Sequence, residues 1–446
     1  MVASERAVNP LAALPPPSTE AGLPAWLAWL EARHGEQIDL GLERCREVAG
    51  RLNIGRLAPI VITVAGTNGK GSSVAMLESI YINAGYRVGT YTSPHLLRFN
   101  ERMRINGRPL DDTEICRGFD KVERERHSVS LTYFEFSTLA ALALFQQAKL
   151  DILILEVGLG GRLDAVNIID PDVALIAAIG LDHEDWLGET REAIGREKAG
   201  IMRPGVPVVC SDHAVPASIP QCASEVGAEL ELLGADFTFD MDPETAQWRW
   251  WSGADAIDCL PVPALCGNHQ LRNAAGVIKV IRLLAQRIPV SSEQIKQGLV
   301  CVQLHGRFHA VRRPLQYIMD VAHNPQAAEI FRATLDQNPT SGKTFALIGM
   351  LNTKNHIGYL RPLTDVVDRW CFTDLPATNG ARATELESCL KKLMPRASSR
   401  CFDSVAAAHE EISRQASPDD RVLVLGSSIT VGAMLKIFES LQLEID

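Results

Sequence analysis

Residues 59–85 read PIVITVAGTNGKGSSVAMLESIYINAG, and this stretch decides the class of fold. It opens with an almost unbroken run of β-branched and apolar residues, the pattern of a strand buried on both faces. Gly66, Gly69 and Gly71 then surround Lys70, and the remainder has the composition of a helix ending near Gly85. Strand, glycine loop and helix in that order make a phosphate-binding unit. Backbone N–H groups of small residues converge on phosphate oxygens, the helix N-terminus favours negative charge, and a lysine adds a cation for the outer phosphates. Thr67, Asn68, Gly69, Lys70, Gly71 and Ser72 are the expected nucleotide contacts, with the Ser72 or Ser73 hydroxyl placed to face magnesium. The loop is a variant of the strict pattern, because Gly71 follows Lys70 and Val64 stands five positions before Gly69.

Working outward, residues 26–52 carry Trp26, Leu27, Leu30, Leu40, Leu42 and Val48 at helical spacing, which predicts two short helices around a loop at 34–39. Downstream, the helical run STLAALALFQQAK leads into the strand DILILEVGLGG, and the strand VALIAAIGLDH follows. Strands alternating with helices imply a mainly parallel sheet covered on both faces. Residues 234–258 are less regular and predict antiparallel strands or a hairpin insertion. Helices near 270–287 and 293–300 precede LHGRFHAVRRP. Beyond it, LQYIMDVAHNPQAAEIF, TFALIGML, WCFTDL and RVLVLGSSITVGAMLKIF give four strand-like runs, a second α/β unit. The expected division is an N-terminal ATP-binding domain at 1–304, a linker at 305–313 and a smaller Rossmann-like domain at 314–446.

Bulk properties agree with this class. A chain of 446 residues exceeds the size at which one core keeps growing, so two domains are expected. The formal charge of -10 argues against broad binding to a nucleic-acid backbone, while leaving room for a small anion held by a metal ion and helix N-termini. The ten cysteines show no C-x-x-C or zinc spacing, no apolar run reaches membrane-spanning length, and the first 23 residues lack a basic start with a long apolar run. A cytoplasmic enzyme, acting on small molecules as a monomer without nucleic acid or membrane, is the expectation.

Two residues stand out at strand ends. Glu156 closes DILILE and His183 follows VALIAAIGLD, so both project where ligands of α/β sheets bind. A carboxylate on an apolar strand is costly to bury without a partner and points to a site. His183, between Asp182 and Glu184, reads equally as a loop histidine, and Ser93 before Pro94 as a turn former.

The stretches IDLGLER, VAGTNGKGSS, TSPHLLRFNER, LTYFEFSTLAAL, LEVGLGGRLDAVN, LDHEDWLG, IGREKAGI, GRF, DVAHNP and GML run through nearly the whole chain in one order. In them the chain resembles the folylpolyglutamate synthase and dihydrofolate synthase family, within the Mur-type ATP-dependent amide ligases, and the bacterial bifunctional branch in particular. The resemblance implies a Mur-ligase-like N-terminal domain and a two-step reaction: ATP converts a pterin-linked carboxylate into an acyl phosphate, which the amine of L-glutamate attacks. The substrates would be 7,8-dihydropteroate and tetrahydrofolates. A synthase acting only on glutamated folates, a cell-wall Mur ligase and a nucleotide-driven switch are the alternatives.

The resemblance also implies site residues. Magnesium, in two ions, falls to Ser93, Glu156 and His183, the last in direct or outer contact because magnesium prefers oxygen; a monovalent cation is a further ligand it allows. ATP contacts extend to Asn273, Arg307 and Asp320, with Arg307 brought onto the phosphates by domain closure or held in an interdomain salt bridge. Pterin contacts fall on Ala32, Arg33, His34 and Gly35, on Thr132, Tyr133, Phe134 and Glu135, and on Leu163, Asp164 and Ala165. Lys70, Lys198 and His323 are the catalytic candidates. Lys198 matches a lysine that carbon dioxide can carbamylate, the other reading being a helix-end pair with Glu197. Gln37 and Ile429 depart from the family, which has threonine and histidine there.

Overall fold

The computed structural model describes residues 15–33, 39–242, 244–313 and 315–441. The first domain is built on β1 (Ile60–Ala65), β2 (Val88–Tyr91), β3 (Met103–Ile105), β4 (Arg108–Pro109), β5 (Ile152–Glu156), β6 (Val173–Ile176), β7 (Pro207–Cys210) and β8 (Glu229–Leu232). They lie in the order β4-β3-β2-β5-β1-β6-β7-β8. From β2 to β8 every neighbour is parallel, and β3 and β4 add an antiparallel edge.

Side-chain alternation along the central strands explains the two covered faces. Ile60, Ile62 and Val64 of β1 and Ile152 and Ile154 of β5 enter one core, with the helices Lys70–Asn83, His269–Leu283 and Ser292–Cys301. Val61, Leu153 and Leu155 enter the other, with Leu23–Arg33, Glu43–Arg51, Asp112–Arg126 and Tyr133–Phe145. The irregular stretch becomes a separate antiparallel sheet of β9 (Thr238–Asp242), β10 (Gln247–Ser252) and β11 (Asp255–Pro261). Trp248 and Trp250 pin it to the first core, and Trp250 Nε1 donates to the Ala275 carbonyl at 3.1 Å.

The second domain holds β12 (His309–Arg313), β13 (Leu315–Met319), β14 (Thr344–Ile348), β15 (Arg369–Thr373), β16 (Ser399–Phe402) and β17 (Arg421–Leu425). Their order is β12-β13-β17-β14-β15-β16, parallel except for β12. The four runs expected from sequence are β13, β14, β15 and β17. The expected linker at 305–313 contains β12, which pairs antiparallel with β13 from His309↔Met319 to Arg313↔Leu315. Both β12 and β16 are edge strands with few apolar residues, so their hydrophobic signal is weak.

Register places the site. Val64 of β1 pairs with Glu156 at the end of β5, and Ala65 pairs with Ile176 at the end of β6. The glycine loop, the LEVG loop and the segment leading to His183 therefore leave the sheet side by side.

Candidate active site

Gly69 has φ 88°, and a Cβ built there would stand 2.6 Å from Asn273 Oδ1. Backbone conformation and space both require glycine. Asn273 donates to Gln270 Oε1 at 2.9 Å, and Gln270 donates to Ser72 Oγ at 3.3 Å, so the helix His269–Leu283 buttresses the loop. Thr67 anchors the other side, its N–H donating to the Ala178 carbonyl at 2.7 Å and its hydroxyl to the Gly180 carbonyl at 3.0 Å. Ser72 and Ser73 are both buried, and the Ser73 hydroxyl has no hydrogen-bond partner among the described residues.

Lys70 bends back over the loop, donating to the Gly66 carbonyl at 2.8 Å and the Thr67 carbonyl at 3.3 Å. Burial lowers its pKa and the carboxylate of Glu156 opposes that shift. Glu156 is only 4% exposed, and burial raises its carboxyl against the pull of Lys70, Arg307 and the Ser93 N–H, which donates to Oε2 at 3.3 Å. A Cβ built on Gly71 would meet Arg307 Nη2 at 3.8 Å and Glu156 Oε1 at 3.9 Å. Two cations and one carboxylate thus gather around the glycine loop, with Arg307 supplied from the second half of the chain.

Among the described residues no three His, Cys, Asp or Glu side chains form a cluster of metal ligands. Ser93, which meets Glu156 through its backbone N–H, and the buried Glu156 carboxylate both carry oxygen of the kind magnesium takes, and a cation there would offset the burial of the carboxylate. His183 meets Lys354 of the second domain. It adopts φ 53°, ψ 42°, an uncommon conformation for a side-chain-bearing residue, and its Nε2 is 3.3 Å from Lys354 Nζ. The residue is exposed, and partial desolvation of its ring, together with the neighbouring ammonium, lowers its pKa to about 4.

Lys198 is 3% exposed at the end of the helix Arg191–Ala199. Its sequence neighbour Glu197 pairs instead with Arg162 at 2.9 Å. Burial, reinforced by Lys70, lowers the Lys198 amine to about pKa 7.

The two domains meet through this site. Asp182 accepts from Lys354 Nζ at 2.5 Å and from Asn324 Nδ2 at 3.2 Å, and lies 3.1 Å from His323 Nε2. These partners hold its carboxyl far below the usual range in spite of burial. Asn68 in the glycine loop donates to Gln326 Oε1 at 2.7 Å and exchanges longer hydrogen bonds with Asn324. Asn324 also caps the helix Pro325–Asp336 through the Ala327 N–H. Asp320 is occupied locally, accepting from the Phe308 and Ala322 N–H groups at 2.8 and 2.7 Å, with Arg307 close enough to oppose the burial of its carboxylate.

Among the residues expected to contact the pterin, Thr132 caps the helix Tyr133–Phe145, and Glu135 answers it in a capping box. The Phe134 ring lies over Gly158, where a Cβ would come within 2.6 Å of Cζ. Asp164 opens the turn Ala165–Ile168, accepting from the Leu159 and Val166 N–H groups; burial raises its carboxyl to about pKa 6. Leu163 adjoins Leu42 in an outer groove. Ala32 and Arg33 end the first helix, with Arg33 4.5 Å above the Trp29 ring. His34, Gly35 and Gln37 lie outside the described residues.

Known proteins match both halves. The Mur ligase middle-domain model covers residues 64–215, and the Mur ligase glutamate ligase domain model covers 306–428. The dihydrofolate synthase/folylpolyglutamate synthase of Escherichia coli (strain K12) is 42% identical over 424 residues, 95% of this chain and 97% of its own. The chain belongs to the dihydrofolate synthase/folylpolyglutamate synthase family. The namesake enzyme of Haemophilus influenzae is 39% identical over 94% of this chain and 98% of its own. The solved structure of E. coli FolC in complex with DHPP and ADP has a TM-score of 0.89 at 42% identity, covering 96% of this chain and all of that one. A bifunctional folylpolyglutamate synthase/dihydrofolate synthase with Mn, AMPPNP and L-glutamate bound has a TM-score of 0.87 at 44% identity, with the same coverage.

In this member of the dihydrofolate synthase/folylpolyglutamate synthase family, sequence reading missed Asp182, Lys354, Gln326 and Gln270. Asp182 and Lys354 lay inside or beside stretches already singled out, LDHEDWLG and GML, but each gains its meaning from a partner more than 170 positions away. Ile429, in the first turn of the helix Ser428–Ser440, is 38% exposed, beside the cleft that Ser428 lines.

Proposed function

We propose that this chain is an ATP- and magnesium-dependent ligase that joins L-glutamate to 7,8-dihydropteroate, giving dihydrofolate, and to tetrahydrofolates, giving polyglutamates. The observation that carries the reading is the convergence of Lys70, Arg307 and Glu156 around the glycine loop at the domain boundary. The names of the E. coli and H. influenzae relatives support the substrate class.

A carboxylate is a poor electrophile with a poor leaving group, so its activation needs phosphate. The substrate carboxylate oxygen attacks the γ-phosphorus of ATP and ADP leaves. Lys70 and Arg307 are positioned to offset the charge that spreads over the transferring oxygens. The glutamate amine, having lost its proton, attacks the acyl carbon, and the tetrahedral intermediate collapses to amide with loss of phosphate. Ser93 and Glu156 would hold magnesium, with His183 at the outer edge, and bound magnesium supplies charge neutralisation at the phosphates. Asn273 and Asp320 would shape the nucleotide pocket, the former by seating Gly69 and the latter by fixing the turn beside Arg307. Thr132, Tyr133, Phe134 and the 163–165 loop would line the pterin pocket. Asp182, Asn324 and Gln326 would hold the domains closed so that water stays away from the acyl phosphate. The depressed pKa of Lys198 leaves a large share of free amine at neutral pH, the form that adds carbon dioxide, so a carbamate there would add an oxygen donor.

Among the described residues no helix is long and apolar enough to cross a membrane. The ten cysteines are free, the state a reducing compartment maintains, and the reading places the enzyme in the cytoplasm. The test is ADP release with dihydropteroate and glutamate each omitted in turn. Release only with both supports the ligase, and equal release with neither overturns it in favour of a nucleotide switch. Replacing dihydropteroate with tetrahydrofolate separates two activities from one.

A further inference from the structure

Glu135 was expected to touch substrate, but its carboxylate is already taken. Oε2 accepts the Thr132 N–H at 2.7 Å, while Oε1 accepts Arg44 Nη2 at 2.9 Å and Nε at 3.2 Å. The residue is 4% exposed, and Arg44 is its only ion-pair partner among the described residues. The same guanidinium reaches the opposite way: Nη1 pairs with Asp39 Oδ2 at 2.8 Å and Nη2 donates to the Asp39 carbonyl at 2.7 Å. One planar fork therefore joins residue 39, seven positions after Ala32, to the helix start that carries Thr132, Tyr133 and Phe134. Arginine suits this task because its N–H groups leave a rigid plane in fixed directions, which a lysine ammonium cannot reproduce.

We propose that Arg44 is a positioning residue for the pterin substrate, clamping the segment at Asp39 to the start of the helix Tyr133–Phe145 and so fixing one wall of the pocket. The inference rests on the pterin reading above. Arg44 acts through Glu135 and the Asp39 backbone rather than by touching the ring. Its outer partner Asp39 is exposed, so loss of the clamp loosens that wall while the core beneath, built on Trp26, Trp29, Phe119 and Phe136, keeps its apolar contacts.

The test is steady-state ADP release by Arg44→Ala, with dihydropteroate, ATP and glutamate varied separately, beside a thermal melt. The expected result is a rise of about tenfold in the KM for dihydropteroate with kcat and the other two KM values within twofold. Arg44→Lys should recover part of that rise, and Asp39→Ala, which removes only the exposed side-chain contact, should show a smaller rise in the same constant. If Arg44→Ala does not fold, Asp39→Ala alone decides between the outcomes. An unchanged KM for dihydropteroate, or a rise shared equally by ATP and glutamate, overturns the proposal. A parent enzyme with no dihydropteroate-dependent turnover overturns the pterin reading as well.

Discussion

Lys198 shows what a single buried group commits a fold to. Its pKa falls from the ordinary 10.5 to about 7, so the fold selects the neutral amine. The cost of protonating it inside the protein is absent above the unfolded pKa, grows as pH falls toward 7, and is constant below that. Lys198→Met should therefore gain melting temperature over the parent progressively between pH 10 and 7 in buffer freed of carbon dioxide, while losing ligase activity. A Tm difference that does not vary with pH would contradict the assigned burial. From sequence, Lys198 was one lysine beside one glutamate; its isolation depends on Glu197 turning to Arg162.

Among elements, the helix Tyr133–Phe145 links local and distant order. Thr132 Oγ1 accepts the Glu135 N–H at 3.2 Å while a Glu135 carboxylate oxygen accepts the Thr132 N–H, a capping box spelled by the letters TYFE although the sequence pointed to these residues only as pterin contacts. Thr132→Ala should cost about 1 kcal/mol of stability, measured by urea unfolding. That the carboxylate of the same box also holds Arg44 was not legible, because the spacing of 91 residues carries no periodic signal. The same limit applies to β12 and β16. Central strands are apolar along their length because both faces are covered, whereas edge strands need few apolar residues and resemble loops.

Across the whole molecule, the interface joins a buried polar cluster to apolar contact, with Leu96 and Leu97 of the first domain packing against the core of the second. Asp182 and Lys354, 8% and 5% exposed, form a buried ion pair between domains, and His323 and Asn324 complete the set around the carboxylate. Removing one partner of such a pair leaves a buried charge unmatched and costs about 3–5 kcal/mol. Asp182→Asn should therefore open the domains, increase the radius of gyration measured by small-angle scattering without nucleotide, and lower kcat. An unchanged radius with normal turnover would show that the pair is not the clamp. Arg307 depends on the same closure, since it reaches Gly71 and Glu156 only across the domain boundary.

What the sequence determined by itself is local: the glycine loop after a buried strand, the alternation that makes a parallel sheet, the capping residues and the strand-end Glu156. Each follows from residues within a few positions of one another, where chain geometry alone fixes the neighbours. The tertiary structure decided which charges meet. Lys354 with Asp182 and Arg44 with Glu135 are ion pairs between distant segments, Arg307 is brought near Glu156, and only the packing of the two sheets and their helices sets those distances. The phosphate loop is thus a property of the letters 59–85, whereas a loop gripped by a second domain is a property of the folded chain.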